Sequence, residues 1–217
     1  MSVVIPPTPS EAEYLAGTAT EPPLDADDPL ALFAAWSAEA AQTEPNDPNA
    51  MCLSTVDEHG LPDARMVLLK EADARGFVFY THLDSAKGRQ LRAQPAAALL
   101  FHWKSLRRQV RVRGPAEPAP EGADAYFASR ARASRLGAWA SRQSRETPSR
   151  DHLLQRYAEV EARFKGEEPP RPEGWSGFRV RPLQIEFWRD CAFRLHERLL
   201  FTRDHPDRAW RKSRLDP

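Results

Sequence analysis

Apolar and polar residues alternate in short runs over most of this chain, and that period of two constrains the fold more than any other feature. It is clear near the end. Gln184-Ile185-Glu186-Phe187-Trp188 alternates as a half-buried strand should, and Arg194-Leu195-His196-Glu197-Arg198 repeats the pattern. On a strand, Arg194, His196 and Arg198 share one face, while Leu195 and Leu199 point into a core. Two guanidiniums flanking an imidazole make an anion-seeking surface with one group that titrates near neutral pH. A solvated outer strand face would carry the same letters.

Earlier runs follow the same logic. Met51–Val56, Ala64–Lys70, Phe77–Thr81, Ala96–His102 and Gln109–Gly114 read as strands, with turns at Asp57-Glu58-His59-Gly60 and at Gly76. Val110 and Val112 point inward. Asp27-Asp28-Pro29 starts a helix that ends before Pro45, and Asp84-Ser85 caps a second, Ala86 to about Gln94, stopped by Pro95. This order reads as a meander or Greek-key barrel with one inserted helix. Glu121–Arg130 reads as helix, placing Tyr126, Arg130 and Ser134 on one line. Ser149–Lys165 is a long helix whose stripe of Leu153, Leu154, Tyr157, Val160 and Phe164 reads as core, with Gly166 as its stop. Trp175–Val180 is a further strand, and Phe201–Arg203 with Trp210–Leu215 form a last hairpin. Residues 1–26, rich in Pro, Thr, Ala and acid, read as a mobile arm with Tyr14 its only large aromatic, and 27–217 as a single domain.

Lysine plus arginine equals aspartate plus glutamate at 31 each, so no global field draws nucleic acid or a membrane surface, and any anion site is local. No apolar run spans a bilayer. Cys52 and Cys191 lack metal-type spacing and read as buried free thiols of a cytoplasmic protein.

Three groups carry candidate chemistry. In Arg65-Met66-Val67-Leu68-Leu69-Lys70 two cations bracket an apolar strand on opposite faces. They reach one ligand only at a bulge, a strand end or a subunit boundary. Ser85-Ala86-Lys87 sets a hydroxyl, free N–H groups and a cation at a helix start, as a phosphate requires, although an ordinary cap has the same letters. Tyr126, Arg130 and Ser134 make a second possible phosphate cradle. Dinucleotide, P-loop and serine-hydrolase signatures are absent. A phosphorylated cofactor with a phosphorylated substrate is the economical reading, and spacing names neither.

Together these segments resemble the pyridoxamine/pyridoxine 5′-phosphate oxidases, FMN enzymes that make pyridoxal 5′-phosphate. The carriers are Asn49-Ala50-Met51, Thr55–Gly60, Arg65–Lys70, Phe79-Tyr80-Thr81, Ser85-Ala86-Lys87, Arg108-Gln109-Val110, Tyr126-Phe127, Ser129-Arg130, Ser134, Gly137-Ala138-Trp139, Gln143-Ser144, Gln184–Trp188, Arg194–Arg198 and Arg214–Pro217. The resemblance implies a mainly β fold with flanking helices, an FMN-binding split β-barrel of Greek-key type, acting as a homodimer with FMN between subunits. It implies FMN contacts from Arg65, Met66, Val67, Leu68, Leu69, Lys70, Tyr80, Thr81, Ala86, Lys87, Gln109, Gln143, Ser144, Trp188 and Arg198. Lys70, Tyr126, Arg130 and Ser134 would hold the substrate phosphate. Arg194, Leu195 and His196 would meet the substrate, with Arg194 and His196 catalytic over the pyridine ring, and Tyr14 would belong to a lid. Ala86 stands where the family often has a basic residue, and Glu11 where some members have arginine. Asp47 matches an acidic position near the substrate and reads equally as a turn residue.

The implied reaction moves hydride from the substrate's exocyclic carbon to the flavin, with O2 reduced to H2O2 and no metal involved. Two alternatives remain. One is a related FMN oxidase of the phenazine-pathway type, which need not keep the phosphate cradle. The other is a non-catalytic flavin-binding barrel, which leaves Arg194 and His196 without a role.

Overall fold

The computed structural model of the protein describes residues 10–12 and 22–217; Tyr14 lies outside the described residues. In chain order the elements are α1 (Pro29–Thr43), β1 (Ala50–Val56), β2 (Pro62–Leu68), β3 (Glu71–Asp73), β4 (Gly76–His82), α2 (Ala86–Ala93), β5 (Ala96–Trp103) and β6 (Arg108–Ala119). Then come α3 (Ala123–Ser129), α4 (Arg132–Ala140), α5 (Arg150–Arg163), β7 (Trp175–Val180), β8 (Gln184–Arg189), β9 (Glu197–Thr202) and β10 (Arg211–Leu215). The chain forms two compact units. The first comprises the described residues up to Pro48, Leu100–Val112 and Leu183–Pro217; the second comprises Asn49–Leu99 and Arg113–Pro182. No helix among the described residues is long and apolar enough to cross a membrane.

In the first unit, Asp28 caps α1 by accepting from the N–H groups of Leu30 and Ala31, and Pro29 occupies the first turn, where a missing N–H costs nothing. The buried face of α1 carries Phe33 and Trp36. Phe33 meets Phe101 edge-on at 5.0 Å between centroids, and Trp36 meets Phe187 at 5.2 Å. The sheet order here is β10-β9-β8-β6-β5. Val110, Val112, Ile185, Phe187, Leu199 and Phe201 are fully buried, as alternation requires.

In the second unit, β1 and β2 pair antiparallel from Ala50↔Leu68 to Val56↔Pro62. Asp57 closes their turn by accepting from the N–H groups of His59 and Leu61. β4 pairs with β3 on one side and β7 on the other, and β7 also pairs with Ala116–Ala119 of β6. Phe77, Val78 and Phe79 are all buried, so β4 is covered on both faces. Gly76, at φ +139°, turns the chain into β4 where a Cβ would lie 2.3 Å from the Val180 carbonyl oxygen.

Four expectations are corrected. Arg194, His196 and Arg198 do not share a strand. Ala192–Arg194 is a 3-10 turn with Phe193 and Arg194 at φ 57° and 62°, β9 begins only at Glu197, and Leu195 is 68% exposed instead of buried. Tyr126, Arg130 and Ser134 do not share a helix: Arg130 is extended (φ −72°, ψ 149°) and separates α3 from α4. α4 itself, which covers Gly137–Ala140, was not expected. No residue of α5 is buried and Leu154 is 51% exposed, so of the α5 stripe only Phe164, just past the helix end, is core. Both cysteines are half-buried instead of buried.

Gly177 marks a close approach in the second unit: a Cβ there would lie 2.4 Å from the Ala119 carbonyl oxygen and 3.0 Å from Tyr80 Cε1. Backbone cannot step aside as a flexible side chain can. Gly177→Ala should therefore cost about 1–3 kcal/mol and several degrees of Tm. A thermal melt matching that of the unaltered protein would refute this packing.

Candidate functional site

A cavity of about 370 Å³ opens in the second unit, lined wholly by that unit's residues. β2 and the residues after it supply Met66, Val67, Leu68 and Lys70, while β4 supplies Tyr80, Thr81 and His82. Lys87 comes from α2, Tyr126 from α3, Arg130 from the break, and Ser134, Gly137 and Ala138 from α4. Ser141, Gln143 and Trp175 complete the wall. Three of these side chains are permanent or near-permanent cations, and none is a carboxylate.

Ser85 starts α2: its hydroxyl accepts from the Gly88 N–H at 3.3 Å and donates to the His82 carbonyl at 2.7 Å. That places Lys87 inward, only 8% exposed. Its ammonium donates to Gln143 Oε1 at 2.8 Å and Ser85 Oγ at 3.3 Å, both neutral acceptors. Thr81 Oγ1 shares the same Gln143 oxygen at 3.2 Å. Burial, reinforced by the nearby Arg65 charge and only partly offset by Asp63, pulls the Lys87 pKa down to about 8. A buried cation bonded only to neutral groups at a helix N-terminus calls for an anion.

A second such place lies at the break between α3 and α4. Arg130 packs its guanidinium over the Phe127 and Trp175 rings, at 5.4 and 5.3 Å from their centroids, and its Nη1 is buried with no hydrogen-bond partner. Burial lowers its pKa from the usual arginine value. Lys70 Nζ stands 5.2 Å over the Tyr126 ring. Tyr80 stacks on Trp175 at 5.3 Å, nearly parallel, and on Tyr126 at 4.7 Å, making one aromatic wall. His82 is pushed toward the neutral form by burial first, then by Lys87 and Arg130.

The cavity thus brings together Met66, Val67, Leu68, Lys70, Tyr80, Thr81, Lys87, Tyr126, Arg130, Ser134 and Gln143 of the expected set. Arg65 is not in the lining. It donates to Thr55 Oγ1 (2.5 Å) and Gln90 Oε1 (3.0 Å) and pairs with Asp63. Leu69 is buried, Ala86 is half-buried beside Lys87, and Ser144 follows Gln143 at φ 65°. Asp47, at φ 42°, lies between α1 and β1 outside the cavity lining, and Glu11 is exposed. His82, Ser141 and Trp175 were missed. Strand alternation from Tyr80 would have put His82 on the same face, whereas nothing local marks Trp175.

Gln109, Trp188, Arg194, Leu195, His196 and Arg198 belong to the first unit. Arg198 Nε donates to the buried Glu186 at 2.9 Å, and Arg111 binds the other Glu186 oxygen. Burial alone would raise the Glu186 pKa, but these two guanidiniums outweigh it and hold it below the usual carboxylate value. The His196 ring tilts on Trp188 at 4.6 Å.

A cationic, carboxylate-free cavity in a mainly β protein suits anionic ligands. Residues 37–164 match the family model described as pyridoxamine 5′-phosphate oxidase, and residues 175–217 match the one described as pyridoxine 5′-phosphate oxidase C-terminal dimerisation region. Proteins named pyridoxine/pyridoxamine 5′-phosphate oxidase from Caulobacter vibrioides (strain NA1000 / CB15N) and Maricaulis maris (strain MCS10) are 60% and 59% identical. Each match covers 99% of this chain and 97% or 98% of the relative. PhzG from Burkholderia lata 383, solved with tetrahydrophenazine-1-carboxylic acid, is 32% identical with a TM-score of 0.81, over 88% of this chain and 94% of that one. The chain belongs to the pyridoxamine 5′-phosphate oxidase family, a family of oxidoreductases, and its fold class is the expected one, mainly β with flanking helices in a split barrel.

The Lys87 environment has a measurable sign. In the ligand-free protein its folded pKa, about 8, lies below its unfolded value of 10.5. Between these values the unfolded chain binds more protons, so stability rises with pH across that window, by up to roughly 3 kcal/mol. Denaturant titrations of the ligand-free protein at pH 7.5 and 10 should show this increment, and Lys87→Met should lack it. Equal pH dependence in the two proteins would show that Lys87 is not held as a buried, unneutralised cation.

Proposed function

We propose that the protein oxidises pyridoxamine 5′-phosphate and pyridoxine 5′-phosphate to pyridoxal 5′-phosphate with FMN as cofactor, reducing O2 to H2O2. The observation that carries this is one cavity with two anion-demanding places, at Lys87 and at Arg130. Buried cationic atoms there lack a counter-charge, which fits one phosphate from a cofactor and one from a substrate. Bound FMN supplies the hydride-accepting ring and the route of electrons to oxygen.

The chain's own residues bind and orient. Lys87, with Ser85 and the free N–H groups of α2, holds the cofactor phosphate. Ala86 adds no charge there. Arg65, Met66, Val67, Leu68, Leu69, Lys70, Tyr80, Thr81, Gln109, Gln143, Ser144, Trp188 and Arg198 complete the cofactor set on the family pattern. Lys70, Tyr126, Arg130 and Ser134 hold the substrate phosphate. Arg194 and His196 are assigned to the pyridine ring, Arg194 to orient substrate and stabilise charge, His196 to hydrogen-bond it or steer a proton. Residues 27–217 act as one oxidase domain in the cytoplasm, Tyr14 as part of a lid.

The phenazine-type reading draws support from the likeness to PhzG. It gives Arg130 no phosphate to hold. Purified protein should show bound flavin absorbance and release peroxide with the phosphorylated vitamers in preference to the unphosphorylated ones. Arg130→Ala removes a contact that is nearly equal in ground and transition states, so it should mainly raise KM for pyridoxamine phosphate, by roughly tenfold or more. Arg194→Ala should lower kcat as well as kcat/KM, and both variants should keep their flavin. The roles fall if the two variants behave alike, or if Arg130→Ala lowers kcat at unchanged KM.

The working form is proposed to be a homodimer with FMN at the subunit boundary. The matched C-terminal dimerisation region supports this, and so does the exposure of Leu61, Met66 and Leu68 at 67%, 63% and 38% in the single chain. Sedimentation should give a dimer, and a flavin-loaded monomer would overturn it.

A further inference from the structure

The His196 imidazole is held from one side by a charged chain that neither the cavity nor the family assignments use. Its Nδ1 lies 2.8 Å from Asp190 Oδ1. The other Asp190 oxygen takes the Arg107 guanidinium, with Nε at 2.6 Å and Nη2 also in contact. The backbone reinforces the pair, since the Asp190 N–H donates to the Arg107 carbonyl at 3.1 Å. Both carboxylate oxygens are therefore committed. The Asp190 and His196 side chains are only 13% and 18% exposed. The left-handed residues Phe193 and Arg194 turn the chain back so that His196 meets a group six positions earlier. Trp188 covers the ring at 4.6 Å.

Nδ1 has two neighbours that require opposite protonation. The Cys191 N–H, at 3.2 Å, needs a lone pair there, whereas the Asp190 carboxylate needs a proton. A hydrogen bond to an ionised acceptor at 2.8 Å is roughly twice as strong as a longer one between neutral groups. In the Cys191-bonded tautomer the nitrogen lone pair would also face a carboxylate. Charge therefore decides for Nδ1–H, and which nitrogen of a histidine acts is set by the bond that the other one makes. Among the described residues nothing bonds Nε2, so that nitrogen is left for a ligand.

We propose that Asp190, clamped by Arg107, is a positioning residue that fixes His196 as the Nδ1–H tautomer and so offers Nε2 as a hydrogen-bond acceptor to the substrate. This rests on the reading of His196 as substrate-facing. It adds the residue that determines what His196 can do there: accept from the substrate's exocyclic amine or hydroxyl, not donate to it.

The test uses the full-length, flavin-loaded protein with 15N-labelled histidine, observed by long-range 1H–15N NMR in the neutral-ring range, with the His196 signals assigned from His196→Gln. The unaltered protein should show a protonated Nδ1 and an unprotonated Nε2. Asp190→Asn, whose amide can donate to Nδ1, should switch the ring to Nε2–H. It should also lower kcat for pyridoxamine phosphate about tenfold or more while KM moves less than about threefold. Asp190→Glu, which keeps the carboxylate, should retain the Nδ1–H spectrum and recover part of kcat. An Nε2–H ring in the unaltered protein overturns the proposal without reference to any variant, as does an unchanged tautomer in Asp190→Asn. A tautomer switch with unchanged kcat instead removes His196 from the substrate: the hold of Asp190 on the ring survives, and the catalytic reading of His196 falls.

Discussion

The cavity depends on a charge left without its partner. Lys87 is buried by the start of α2, where the first N–H groups of the helix already carry partial positive charge. Its only bonds go to a hydroxyl and an amide oxygen. Arg130 repeats the situation, with a guanidinium nitrogen buried against aromatic rings and bonded to nothing. Neither arrangement would survive as pure architecture, because an apolar side chain of the same volume would be more stable in each place. Binding an anion removes the penalty, so ligand affinity and fold stability are linked at the same atoms.

The first unit treats its arginines in the opposite way. Arg107 binds Asp190, Arg108 binds Glu39, Arg111 and Arg198 share Glu186, and Arg189 binds Glu197. Each of these five guanidiniums has a carboxylate in reach. A chain with equal numbers of acids and bases can therefore hold a strongly cationic cavity without a basic surface: it neutralises one unit locally and withholds carboxylates from the lining of the other. Net charge is silent on this partition, which is why zero net charge excluded a global field but not a local site.

Hairpins and helix starts were legible because their chemistry is local. Asp28 before Pro29, Ser85 before Lys87, and Asp57 through Gly60 act within four residues, and each acts in the structure as its letters imply. The inward set of Val110 and Val112 also followed, since alternation holds wherever a strand stays regular. The stripe on α5 misled for a related reason: a periodic apolar face says that something can cover it, not that this chain's own core does.

The candidate site was legible by residue type but not by geometry, and the reason is where its residues sit. Arg130 lies between two helices, Arg194 in a left-handed turn, Ser144 at φ 65°, and Lys70 past the end of β2. Rules of period apply only where φ and ψ repeat, and these residues occupy the interruptions. Arg130 illustrates the gain. On a continuous α3 it would stand one turn above Tyr126, on the same face. The extended backbone at Arg130 instead ends one helix and starts another, so Tyr126, Arg130 and Ser134 enter the cavity from three different segments. Groups that approach from different backbone directions can surround a phosphate, whereas one helix face can only touch a side of it. The departure from helical geometry that defeats the spacing argument is what makes the cradle concave.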